Sequence, residues 1–212
     1  MAIMLGAVII SAAIILVGRN GASPIAGEAA VNIRPPSSQD HIIGSPDAPV
    51  VIVEYADFQC PYCELVNPVF KRIVAESNGE VAWVFRHLPL ESIHPQARPA
   101  ALAAECVAAL GGNDAFWKFA DALYANQGEL GGALYAREAA ELGVDFTQFT
   151  DCLNKKLYTS RVDADLSEAV LNGGYGTPYT VVMGKTGKPA AFSGALPYEQ
   201  ILAVINSVKN RQ

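Results

Sequence analysis

The stretch Asp57-Phe58-Gln59-Cys60-Pro61-Tyr62-Cys63 places two cysteines two residues apart, directly after the apolar run Val50-Val51-Ile52-Val53-Glu54-Tyr55. That run is β-branched and reads as a buried strand. Glu64 to Glu76 reads as a helix, with apolar residues at Leu65, Val66, Val69, Ile73 and Val74. The cysteine pair therefore sits where a strand turns into a helix. With Cys60 as the N-cap, Pro61 falls at the first helical position, where its missing N–H costs nothing. Cys63 then lies one turn on, with its sulfur on the same side as that of Cys60. A thiolate at Cys60 would meet free backbone N–H groups and the positive end of the helix dipole. Both lower the thiol pKa and make the sulfur a nucleophile near neutral pH. The pair reads as a redox site.

A Cys-x-x-Cys pair can also be half of a zinc site or two structural thiols. Tetrahedral zinc needs four ligands, usually from a second pair of similar spacing. Cys106 and Cys152 are isolated from each other, and the three histidines form no ligand pair along the chain. No metal is expected, and the strand-before, helix-after context favours redox chemistry. The 212-residue chain is long enough for one domain with a full core. A net charge of −6 with no basic run argues against a nucleic-acid surface. Neither a phosphate-binding loop nor a Ser-His-Asp arrangement is evident.

Upstream, Met1 to Gly18 is an unbroken apolar stretch, about 27 Å long as a helix. That is just enough to cross a hydrocarbon core of about 30 Å. The stretch lacks a basic leading region and a clean Ala-x-Ala site, so an uncleaved anchor is expected rather than a removed signal peptide. Arg19, the nearest basic residue, would by charge alone keep the rest of the chain in the cytoplasm. The thiol chemistry points the other way, and the domain is expected outside. Residues 19–40, rich in Gly, Ala, Ser and Pro, read as a flexible tether, the rival reading being an arm lying on the domain. The folded part, residues 41–212, opens with the turn cluster Gly44-Ser45-Pro46-Asp47-Ala48-Pro49.

Downstream, Ser77-Asn78-Gly79 signals a helix end, and Val81 to Phe85 a second strand parallel to the first. Helices succeed it at Pro99–Leu110, stopped by Gly111-Gly112, and at Asp114–Tyr124, Leu134–Leu142, Phe146–Leu153 and Tyr158–Leu171. Tyr179–Met183 is a strand, Lys185-Thr186-Gly187-Lys188 a hairpin turn, Pro189–Phe192 an edge strand and Tyr198–Val208 a last helix. Trp83, Trp117 and Met183 read as core, and His87 and His94 as structural. The order β-α-β, helical block, β-β-α is a thioredoxin-like α/β fold with an inserted helical subdomain at about residues 95–172.

Glu54-Tyr55-Ala56-Asp57-Phe58-Gln59-Cys60-Pro61-Tyr62-Cys63, Arg86-His87-Leu88-Pro89-Leu90, Phe116-Trp117 and Gly176-Thr177-Pro178 together resemble the DsbA-like family of thiol-disulfide oxidoreductases. The resemblance covers nearly everything after the tether. It implies that Cys60 attacks and that the buried Cys63 resolves. It also implies that Pro178 is a cis-proline beside the pair, with the Thr177 backbone offered to a substrate strand. Thr177, Pro178, Pro61 and Tyr62 would thus contact substrate. Glu54 matches the buried acid beneath the disulfide, with a raised pKa suited to taking the Cys63 proton.

The chain departs from the best-known DsbA oxidases, which carry Pro-His between the cysteines where Pro61-Tyr62 stands here. Thr177 resembles the disulfide isomerases instead. Both positions tune redox poise, so a reductase or isomerase is the nearest alternative. A non-catalytic module holding peptides or a metal is the alternative from another class. Cys106 and Cys152 are either buried thiols or, in an oxidising compartment, a structural disulfide, the expected form. The expectation is a monomeric, membrane-anchored oxidoreductase on the extracytoplasmic side. It would use no cofactor beyond the Cys60–Cys63 disulfide and act on cysteine-containing exported polypeptides. A membrane redox partner would restore the disulfide.

Overall fold

A computed structural model describes residues 31–211. The expected anchor, Met1 to Gly18, and the first part of the tether lie outside the described residues. Among those that are described, no helix is long and apolar enough to cross a membrane.

A five-stranded mixed sheet forms the centre, with strands β1 (His41–Ile43), β2 (Val50–Ala56), β3 (Val81–His87), β4 (Tyr179–Gly184) and β5 (Ala190–Ser193) in the order β1-β3-β2-β4-β5. β2 runs parallel to β3 and antiparallel to β4, with Glu54 opposite Phe85 on one side and Thr180 on the other. Every residue of β2 is buried, which requires cover on both faces of the sheet. Val50, Ile52 and Ala56 face the larger core, shared with α1 (Pro61–Glu76), α2 (Ala97–Ala125) and α6 (Tyr198–Lys209). α3 (Gly132–Glu141) and α4 (Phe146–Asn154) extend that core. Val51, Val53 and Tyr55 face a smaller core closed by α5 (Thr159–Leu171) and by Ile33.

The thioredoxin-like order with a helical insertion is present, and the details differ in instructive ways. α1 buries Cys63, Val66, Asn67, Phe70, Ile73 and Val74, a stripe of three- and four-residue steps. Leu65 falls about 100° off that stripe and is 61% exposed, so it is not a core residue. The helices expected on either side of Gly111-Gly112 are present as the two halves of α2, separated at a kink where Gly112 adopts φ 83° and ψ −177°, a conformation suited to glycine. β1 was not anticipated. Trp83 and Trp117 are buried, and Met183 is half-buried against the smaller core.

Residues 31–40 lack regular secondary structure but lie along the domain, as the arm reading had it. The Asn32 N–H donates to Asn172 Oδ1 (2.6 Å) and the Arg34 N–H to Glu168 Oε1 (2.7 Å), while the Arg34 side chain pairs with Asp165. Beneath them Arg86 is fully buried. Its Nε donates to Asp40 Oδ1 (2.9 Å), one terminal nitrogen to Glu168 Oε2 (2.8 Å), and the other to the Arg34 carbonyl (3.1 Å). A buried guanidinium is costly unless carboxylates and hydrogen bonds surround it. Here Asp40, Glu168 and the arm's own carbonyls do so, and burial of Arg86 fixes the arm in place.

The cysteine question in the insertion resolves into a cross-link. Cys106 of α2 and Cys152 of α4 form a disulfide with a Cα–Cα distance of 5.9 Å and a sequence separation of 46. Closing a loop of that length is worth about 4 kcal/mol on the chain-entropy estimate.

Candidate active site

Cys60 is the N-cap of α1 and Pro61 its first residue, with Cys60 at φ −79° and ψ 121°. The Cys60 carbonyl accepts the Cys63 N–H (3.1 Å) and the Glu64 N–H (3.3 Å), which opens the helical ladder. Both thiols are free in this structure, and Cys60 is 4% exposed while Cys63 is completely covered. The Thr177–Pro178 peptide is cis, and the Cys60 thiol donates to the Thr177 carbonyl at 3.4 Å. Residues 117 apart in sequence thus meet at the sulfur. Tyr62 (59% exposed), Leu65 and Tyr175 expose apolar side chains on the two segments that meet there. Pro61 is exposed as well, whereas Pro178 is buried.

The two thiols are chemically unequal. A hydrogen bond from the Cys63 thiol lowers the Cys60 pKa to about 6, against the opposing effect of burial. Thr177 and the backbone N–H groups of Cys63 and Tyr62 assist. Burial pushes the Cys63 thiol well above its ordinary value, and the hydrogen bond to Cys60 and the charge of Glu54 add to the rise. Sequence reasoning placed the whole depression on the helix N-terminus. The sulfur–sulfur hydrogen bond, invisible to that reasoning, is the larger cause.

Glu54 lies at the sheet face below this pair, 1% exposed. Burial raises its pKa to about 8. The Trp83 indole is near enough to temper the rise, but it forms no hydrogen bond of ordinary geometry, and Glu54 Oε1 has no partner. The carboxyl is therefore mostly protonated at neutral pH and can exchange a proton within the core.

Three further residues hold the site and were not read from the sequence. The buried Asp57 carboxylate accepts the Gln59 N–H (2.8 Å) and the Leu90 N–H (3.0 Å), and pairs with His94 Nδ1 (2.8 Å). His94, expected to be structural, thus braces the loop before Cys60. The Gln59 side chain accepts the Gln96 N–H (2.7 Å). Gln127, in the 3-10 turn Gln127–Glu129 after α2, donates to the Phe58 and Cys60 carbonyls, each at 2.9 Å. An Asp three residues before a capping Cys was a readable turn signal. No local pattern pointed to Gln127.

Elsewhere, His41 Nε2 and His87 Nε2 both lie on Glu105 Oε1, at 2.7 and 2.8 Å. The histidines do form a pair in space, contrary to the expectation from their spacing along the chain. Antiparallel pairing sets His41 opposite Phe85, two residues from His87. Among the described residues these three are the group whose donor atoms could hold a metal. Arg161 Nε, however, already stands 2.8 Å from the same Glu105 oxygen. The guanidinium supplies the positive charge there, and a metal ion would have to displace it.

A family model described as Thioredoxin matches residues 37–206. The chain belongs to the thioredoxin family. Within it, the structure is similar to DsbA2 of Pseudomonas aeruginosa, with a TM-score of 0.67 and 29% identity over 79% of this chain and 93% of that one. It is also similar to BdbD of Bacillus subtilis, with a TM-score of 0.72 and 25% identity over 85% and 98%. The DsbA-like resemblance read from the sequence and the thioredoxin fold with its insertion are thereby borne out. A curated relative, the Na(+)/H(+) antiporter NhaA 3 of Salinispora tropica, is 40% identical over 147 residues, which are 69% of this chain and 22% of that protein. This thioredoxin-family chain spans about a fifth to a quarter of the length of the curated relatives it matches.

Proposed function

We propose that the chain is a thiol-disulfide oxidoreductase that introduces or exchanges disulfides in exported polypeptides through Cys60 and Cys63. The observation that carries this reading is the asymmetry of the two sulfurs at one helix start, one depressed to about 6 and one driven upward. With the pair oxidised, a substrate thiolate attacks the Cys60 sulfur. The Cys60–Cys63 bond breaks, a mixed disulfide forms, and the electron pair leaves on Cys63. Protonated Glu54 supplies the proton that the buried Cys63 thiolate requires. A second substrate thiolate then attacks the substrate sulfur of the mixed disulfide and expels Cys60. A low-pKa thiolate leaves readily, so the pair ends as a dithiol and the substrate gains a disulfide. The Thr177 carbonyl beside Cys60 supports a substrate backbone lying along residues 175–177, with Tyr62, Leu65 and Tyr175 as apolar neighbours.

Placement outside the cytoplasm is supported by the Cys106–Cys152 disulfide, since such cross-links persist in oxidising compartments. Anchoring through Met1 to Gly18 rests on the apolar stretch alone. Carbonate washing of membranes, with retention of the intact chain, tests it.

The mechanism is tested by trapping. Cys63→Ser should accumulate mixed disulfides with substrate through Cys60, and Cys60→Ser should not. Equal trapping by both variants, or by neither, would reject the assignment. The reduction potential of the pair separates an oxidase from the reductase or isomerase reading, because a stabilised Cys60 thiolate raises the potential.

A further inference from the structure

The helical insertion does more than cover the sheet. Gln127 lies just past the C-terminal end of α2, 67 residues from Cys60 and 69 from Phe58. Its side-chain nitrogen has two hydrogens, and the two carbonyls it reaches flank Gln59. A primary amide presents its hydrogens in one plane, so satisfying both acceptors fixes the separation and tilt of two peptide units at once. The first, Phe58–Gln59, is already held from below, where the Phe58 ring stacks on Phe85 at 5.0 Å. The second, Cys60–Pro61, carries the oxygen that begins the α1 ladder. Its orientation sets ψ of Cys60 and hence where the sulfur stands relative to the N–H groups of Tyr62 and Cys63.

We propose that Gln127 is a positioning residue for the nucleophile: it clamps the Phe58 and Cys60 carbonyls and so holds the Cys60 sulfur against the start of α1. This deepens the oxidoreductase reading and rests on it. The clamp acts in two ways with one sign. It keeps the sulfur within reach of the backbone donors, and it engages a carbonyl oxygen whose partial negative charge would otherwise oppose a thiolate beside it. Cys60 has no side-chain capping bond of its own, so Gln127 ties this turn down from outside it, adding to the Cys63 and Glu64 N–H groups that already reach the Cys60 carbonyl. The insertion, through Gln127, thus sets the acidity of a cysteine in the thioredoxin core.

The test compares Gln127→Met, similar in length but with no donor, Gln127→Glu, isosteric and negatively charged, and Gln127→Lys, which restores a donor. Thiolate absorbance of the reduced full-length protein gives the Cys60 titration, and equilibration with glutathione gives the potential. Proton affinity at Cys60 should rise about threefold, about half a pKa unit, in Gln127→Met. It should rise further in Gln127→Glu and return to or below the wild-type value in Gln127→Lys. The potential should fall in the same order. A clamp with only a structural role would lower the melting temperature in all three variants and leave the titration unmoved. An unmoved titration in folded Gln127→Glu would overturn the proposal even if Gln127→Met failed to fold. Absence of a depressed Cys60 titration in the wild type would instead reject the underlying reading.

Discussion

Glu54 and Glu105 are both almost completely buried carboxyl groups beneath the same face of one domain, and they behave oppositely. Glu54 sits in β2 with one oxygen unpartnered, and burial carries it up to about 8. Glu105 sits in α2, and burial would raise it too, but bonds from His41 and His87 hold it far below the usual carboxylate range. Burial sets the stakes and partners decide the sign. A carboxylate with three nitrogens on one oxygen is a fixed part of the architecture. One left without a partner stores a proton at working pH, and that proton is available beneath a thiol that needs it.

The comparison breaks first at Glu105. Glu105→Leu leaves two histidines and a guanidinium facing an apolar side chain, so it should lower stability by about 3 to 5 kcal/mol. Urea unfolding of the oxidised protein would show this. A loss below about 1 kcal/mol would mean that the cluster relaxes toward solvent. Glu54→Gln should slow the step in which substrate attack on Cys60 expels Cys63 by about a hundredfold near pH 7, about 2.7 kcal/mol. Stopped-flow kinetics with a model dithiol substrate reads the step. An unchanged rate would assign the proton to solvent.

The pH dependence of unfolding sharpens the sign. Glu54 in the folded chain keeps its proton up to about pH 8, whereas in the unfolded chain it loses it near its ordinary 4.5. The folded state thus binds the extra proton between those values, and its stability must fall as pH rises through that window. The slope contributed is at most about 1.4 kcal/mol per pH unit. Glu105 works in reverse: its contribution is present above the ordinary carboxyl value and is lost as pH falls below it. In the oxidised protein, where neither active-site thiol titrates, Glu54→Gln should flatten the decline toward pH 8 and leave the acid side untouched. A decline that survives the substitution would place its origin elsewhere.

Much of this contrast was half legible in the sequence. Glu54 could be assigned because β2 is apolar on both sides of it, and a strand covered on both faces buries whatever it carries. The redox pair and its N-cap could be assigned because each is a local pattern with a strict backbone requirement, whereas the place of Thr177 and Pro178 beside the pair came from the resemblance to the DsbA-like family. Glu105 could not, since its partners lie 64, 18 and 56 residues away and no spacing relates them. Gln127 was hidden for the same reason. β1 escaped because three residues are too few to display an alternation. The tether was drawn to residue 40 because its composition is that of a loose segment, and what ties residues 31–40 down is Arg86 of a distant strand.

That clasp also determines where the molecule would bear a load. A pull on residue 31 is taken up in shear by Asn32 on Asn172, Arg34 on Asp165 and the arm's carbonyls on Arg86. These attachments lie on α5 and on the α5 side of the sheet, whereas Cys60 and Cys63 ride on the helix across the opposite face. Tension entering through the arm would pass first into α5 and β3, on the face of the sheet away from α1.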